Sequence, residues 1–131
     1  GVFSADFART STVSLLAAAA DRRPTAFVAG GVQATIGVLE AFSDLGLRAG
    51  IDVAMVSCDD VPWLAVMRPA ISAVARDAEE FGRAAAELVT TALRGDEATT
   101  IVLATTYLAR ETTSDVGSPS SRRRSGTDQA R

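Results

Sequence analysis

From Val53 the chain reads Val53-Ala54-Met55-Val56-Ser57 and then, after Cys58, reaches two adjacent carboxylates, Asp59 and Asp60. An apolar run this short, with no polar alternation, fits a strand covered on both faces, as strands of parallel sheets are. A loop through Pro62 and Trp63 follows, and Arg68-Pro69 leads into a second short apolar run, Ala70-Ile71-Ser72-Ala73-Val74. In open α/β sheets, ligands bind in the crevice beyond the carboxyl ends of the strands. Asp59 stands at such an end, so one stretch predicts both a fold class and a site.

The flanking segments agree. Arg9 to Ala20 predicts a helix, with Ser4 or Asp6 as N-cap and Ala17–Ala20 as a strong helix-forming run. Pro24 pushes Arg23 out of helical geometry and opens an extended segment, Thr25–Ala29. After the Gly30-Gly31 turn, Val32, Ile36, Leu39, Phe42 and Leu45 recur on one helical face, which Gly46 closes. The spacing also predicts a helix over 77–93. Asp77 and Glu80 make its capping-box pattern, Ala78, Phe81, Ala85, Leu88 and Ala92 its buried stripe, and Gly95 its end. Thr100–Leu103 and Thr106–Ala109 read as short extended segments. Strands alternating with helices through short turns predict parallel βαβ units: an α/β fold, a parallel sheet flanked by helices. No internal repeat is present.

Composition closes off several functions. Residues 1–113 hold nine arginines against fourteen acids, while 114–131 hold four against two. An acidic body argues against nucleic-acid binding by this piece itself, which needs a concentrated basic face. Without histidine, a Ser-His-Asp triad, a Cys-His pair and a histidine-ligated zinc are all excluded. Adjacent Asp59 and Asp60 splay apart, unlike the facing carboxylates of a glycosidase. We therefore expect no enzyme, and nothing calls for a cofactor. Cys58 is the lone cysteine, which permits no internal disulfide, fits a reducing cytoplasm and reads as a small residue ending a buried strand. Pro24 to Leu39, the longest uncharged stretch, is too short and too polar for a membrane span, and no signal peptide is visible. The first residue is not Met and lies beside what reads as a strand end, which predicts a fragment of a larger protein. Ser114 to Arg131 is serine, glycine and arginine with little to bury, and predicts a disordered tail. Arg122-Arg123-Arg124 there is either a nucleic-acid contact or a solvated terminus.

Taken in order, the motifs resemble the lactose-repressor (LacI/GalR) family of bacterial transcription regulators. Its signature ends a strand in "G-F-D-D" or "G-Y-D-D", with "P-x-L-T-T-V" ten residues on. Here Ser57 and Cys58 replace the glycine and aromatic, Ser72 and Ala73 replace the threonines, and the spacing from Asp59 to Pro69 is kept. Asp6-Phe7 is similar to the family's "D-F/W", Pro24–Ala29 to "P-T-A-I-x-A" and Gly37–Phe42 to "G-A-L-R-A-L". Ala78–Ala85 is similar to "x-E-E-L-G-R-R-A", and Arg110–Thr113 to the terminal "R-E-S-T". The resemblance covers nearly all of residues 1–113. It implies the C-terminal lobe of a periplasmic-binding-protein-like (type I) effector domain, incomplete at its start.

The resemblance also implies roles. Asp59 would accept hydrogen bonds from ligand hydroxyls or ring N–H groups; as a favoured turn residue it has capping as its alternative. Asp60 reads as serving the turn. Phe7 would be the aromatic plate for a sugar or purine ring, or else a core residue. The family's "N-D" at the second helix start is Gly31-Val32 here, leaving Gln33 to offer amide bonds in place of the missing Asn. Trp63, Leu64, Val66 and Met67 lie in a loop that resembles one side of the family's dimer interface, with a local core patch as the alternative. The implied protein is a cytoplasmic homodimer whose small-molecule effector, a sugar or nucleobase-like ligand, controls operator DNA binding through an N-terminal helix-turn-helix outside this sequence. An effector-gripping arginine would also lie upstream of Gly1. The alternative is a sugar-binding protein of a transporter, which shares the fold.

Overall fold

The computed structural model describes residues 3–97 and 99–113; the tail expected to be disordered lies outside these residues. Four strands form one sheet in the order β1 (Ala26–Ala29), β2 (Ala54–Ser57), β3 (Ser72–Arg76), β4 (Thr105–Leu108). The first three run parallel, with Ala26 opposite Ala54 and Val56 opposite Ser72. β4 is antiparallel to β3, pairing Tyr107 with Val74. The α/β class with a mostly parallel sheet is as expected; the second extended segment became β4 and 100–103 added no strand.

Helix α1 spans Ala5–Leu16 and starts earlier than the sequence suggested, because the Ser4 hydroxyl accepts the Phe7 N–H at 3.2 Å. It also stops earlier. The face that buries ends at Leu16, and Ala17–Ala20 are all exposed. Propensity without a surface to pack on does not hold a helix. Helix α2 (Val32–Asp44) lies against α1 and over β1. Its buried residues are Thr35, Gly37, Val38, Ala41 and Phe42, so the packed face is rotated from the predicted stripe, and Leu45 is exposed. Small residues decide this rotation: Gly37 lets α2 approach the backbone of α1 at Ala5. Arg9 Nε bonds Asp44 Oδ2 at 2.6 Å across the same pair of helices, and that partner raises the Arg9 pKa. Phe42 meets Phe27 edge-on at 5.6 Å, and with Met55, Leu64 and Ile71 it fills the centre of the core.

The predicted loop after Asp60 contains a short helix, α3 (Pro62–Val66), with Pro62 in its first turn, where a missing N–H costs nothing. Helix α4 (Ala78–Leu93) is capped as expected, Asp77 Oδ1 accepting from Glu80 N at 2.9 Å. Its predicted buried stripe is not buried. Only Ala84 is, while Phe81, Ala85 and Ala92 are exposed. Much of the stripe instead borders an open pocket of about 210 Å³, across from Arg76, Ile101, Leu103, Ala104 and Thr105. An amphipathic stripe reports that a helix needs a partner, not that this chain supplies one.

Candidate functional site

Ser57 ends β2 fully buried, and its hydroxyl does three things. It donates to Asp59 O at 2.8 Å, accepts from Asp59 N at 3.3 Å, and accepts from the buried Thr35 hydroxyl of α2 at 2.9 Å. The backbone of Asp59 is thereby clamped to the sheet and to the first turn of α2. A glycine in place of Ser57 has no such hydroxyl, so the departure from the family signature carries a structural role. The Asp59 carboxylate then projects at the carboxyl end of β2. A methyl added to Gly31, the residue that opens α2, would lie 3.5 Å from Asp59 Oδ2. On its other side Asp59 Oδ1 accepts from Arg76 Nη2, at the end of β3. Asp59, Asp60 and Arg76, with Val32, Val61, Ala78 and Phe81, line an open cleft of about 350 Å³.

Asp60 does not serve the turn as read from the sequence. It forms a two-pronged pair with Arg110, at 2.7 and 3.0 Å, and Arg110 Nη1 also donates to Ile71 O at 2.8 Å. Donating to the Asp60 carboxylate raises the Arg110 pKa above its ordinary value. The rest of the Arg110-Glu111-Thr112-Thr113 run, a motif match with no assigned task in the sequence, closes on the same junction. Ala70 N donates to Glu111 Oε2 at 2.5 Å. Thr112 Oγ1 donates to Met55 O at 2.7 Å and accepts from Ser72 N at 2.9 Å. The Thr113 hydroxyl contacts those of Ser72 and Tyr107 at 2.7 and 2.6 Å. This is a clasp between β2 and β3, which share only two registered pairs. It holds the loop that carries both aspartates.

The other expected site residues fall elsewhere. Phe7 is 54% exposed on α1 and lines a separate groove of about 380 Å³ with Phe3, Leu15 and Val28, along the outer side of β1. Gln33 is exposed in the first turn of α2 and lines neither pocket. Of the four interface residues, Leu64 is fully buried in the chain's own core, so it is withdrawn from any dimer contact. Trp63 and Met67 pack partly against that core, and Val66 stands 73% exposed. Arg76 and Arg110 escaped sequence reasoning, since pairs 17 and 50 residues apart leave no periodic trace. No group of three or more His, Cys, Asp or Glu residues among those described could hold a metal, and no helix there is long and apolar enough to cross a membrane.

Residues 3–113 match the family described as a periplasmic binding protein-like domain. None of the curated proteins matches the chain. A LacI family transcriptional regulator from Mycobacterium smegmatis superposes with a TM-score of 0.73 at 28% identity, over 85% of this chain and 42% of that one. A regulatory protein of the LacI family from Chloroflexus aggregans gives 0.70 at 30% identity, over 84% and 40%. A LacI family regulator from Arthrobacter sp. FB24, solved in complex with lactose, gives 0.68 at 28%, over 85% and 42%. The chain thus spans less than half the length of these relatives.

Proposed function

The chain belongs to the periplasmic binding protein-like domain family and carries the fold of a LacI-family effector domain, and on that premise we propose that it senses a small effector for a transcription regulator. Residues 1–113 are the C-terminal lobe of the sensor. The effector sits at the carboxyl ends of β2 and β3, and its presence alters how two lobes close and so how the DNA-binding headpiece is held on its operator. The observation that carries this reading is Asp59: a carboxylate at a strand end in an open cleft, on a backbone held by the Ser57 hydroxyl, which Thr35 bonds in turn. The lactose complex of the Arthrobacter relative supports a sugar as the kind of ligand. The regulator works as a homodimer, with Val66 and the outer edges of Trp63 and Met67 as this chain's contribution. A transporter's sugar-binding protein shares the fold, but the relatives at 28–30% identity support the regulator.

The test is Asp59→Ala in the full-length protein, titrated by calorimetry with sugars and nucleobases. A lost charged hydrogen bond costs about 1.5–3 kcal/mol, roughly 10- to 150-fold in affinity. Effector response should vanish while operator binding persists. If Asp59→Ala binds the effector as wild type does and Phe7→Ala does not, recognition belongs to the Phe7 groove.

A further inference from the structure

Which molecules the cleft admits is a narrower question, and its answer rests on the sensing reading above. Three charged groups line the cleft, Asp59, Asp60 and Arg76, and Arg110 lies behind them, so that they fall into two pairs. Asp60 and Arg110 are closed on each other through two hydrogen bonds, with the Arg110 side chain only 17% exposed. Asp59 and Arg76 form the looser pair. Arg76 reaches Asp59 Oδ1 with one nitrogen while its side chain remains 55% exposed. A guanidinium has five N–H donors, so most of them stay available to a ligand. Above the pair lies the start of α2, whose N-cap is Gly31 and offers no side-chain oxygen to the first-turn N–H groups. The remaining walls, Val32, Val61 and Phe81, are apolar.

Exposure is what differs within the looser pair: the Arg76 side chain is 55% open and that of Asp59 27%. Asp59 Oδ2 is the acceptor best placed for a ligand, and Arg76 with the α2 start supplies several donors. In charge, each ion pair cancels, and the start of a helix adds roughly +0.5. A neutral polyol needs acceptors as well as donors, whereas an acidic group needs donors alone. We propose that Arg76 sets the ligand class of this cleft, which takes a sugar-sized molecule bearing one acidic group, a carboxylate or a phosphate. The guanidinium holds the acidic group, and Asp59 Oδ2 accepts from a neighbouring hydroxyl.

Calorimetry on the full-length protein tests this with matched probes: glucose, galactose and ribose against glucuronate, galacturonate, glucose 6-phosphate and ribose 5-phosphate. The expected result is an acidic probe that binds at least about tenfold more tightly than its neutral parent. Arg76→Gln should remove that preference, weakening the acidic probe by about 10- to 150-fold and leaving the neutral parent within about twofold. Uronates against phosphate esters show which acidic group is meant. Because Arg76 is exposed, the variant should melt as wild type does, and Arg76→Lys should recover part of the preference. A neutral sugar that binds through Asp59 more tightly than any acid, with Arg76→Gln leaving the ratio unchanged, overturns the proposal and spares the sensing reading. Acid binding that ignores Arg76→Gln also overturns it. If no probe binds, the proposal is overturned, and if binding ignores Asp59→Ala as well, the assignment of the effector to the Asp59 cleft fails with it.

Discussion

Thr112→Val should destabilise the protein by about 3–5 kcal/mol, and Thr112→Ser by under about 1.5 kcal/mol. Valine keeps the shape of threonine and removes only the hydroxyl. That hydroxyl is fully buried and serves two backbone groups from different strands, the Met55 carbonyl and the Ser72 N–H. β2 and β3 register only at Val56–Ser72 and Ser57–Ala73, so the ladder alone does not satisfy these two groups. A buried polar group left without a partner costs about 1–3 kcal/mol, and here there are two. Against a total stability of about 5–15 kcal/mol, the loss is large enough to unfold a marginal domain. Serine keeps both bonds and gives up one methyl. Urea unfolding of the full-length protein measures the difference, and a Thr112→Val midpoint within error of wild type would show that the clasp does not hold the strands.

Gly37→Ala is the second large effect, and its sign is informative. In an exposed helix the change stabilises by up to about 1 kcal/mol. At Gly37 the added methyl would lie 2.1 Å from Ala5 O and 2.8 Å from both Ala8 Cβ and Arg9 N. These are mainly backbone atoms of α1, which cannot rotate out of the way, so the two helices must separate. Overpacking of this kind costs about 1–3 kcal/mol and more where backbone must move, which outweighs the propensity gain. We expect a net loss of about 2 kcal/mol or more. Gly82→Ala on α4 is the control: nothing lies within 4 Å of the added methyl, so it should stabilise slightly. If both variants behave alike, α1 does not dock on α2 at this position.

Local chemistry was the legible part of this chain. The apolar run at β2, the Asp77 cap, and the glycines at 46 and 95 that close α2 and α4 all stand where composition placed them, and both glycines adopt positive φ. Each of those signals is complete within a few residues. Where the outcome depended on a partner, the reading slipped. Ala17–Ala20 has the propensity for helix and nothing to bury, and Phe81 has the periodicity of a core residue yet lies 57% exposed. The candidate site divides the same way. Asp59 was visible from strand chemistry alone. Its surroundings were not, because the Asp59–Arg76 and Asp60–Arg110 pairs and the Thr112 bridge join residues that only the fold brings together. Ser57 looked like a departure from a motif, and its hydroxyl proved to be the group that orients Asp59.

The outer strand β1 has a consequence for anyone handling the protein. Among the described residues it ends the sheet on one side, Val28 is 72% exposed, and Phe3, Phe7 and Leu15 flank it. An unpaired margin of this kind is a template: its free N–H and C=O groups welcome any extended chain, including β1 of another copy. Preparations of these residues alone should lose soluble material steeply as concentration rises, and light scattering would register it. Val28→Lys places a charge on that margin without touching the core, and should keep the material in solution at concentrations where wild type clouds.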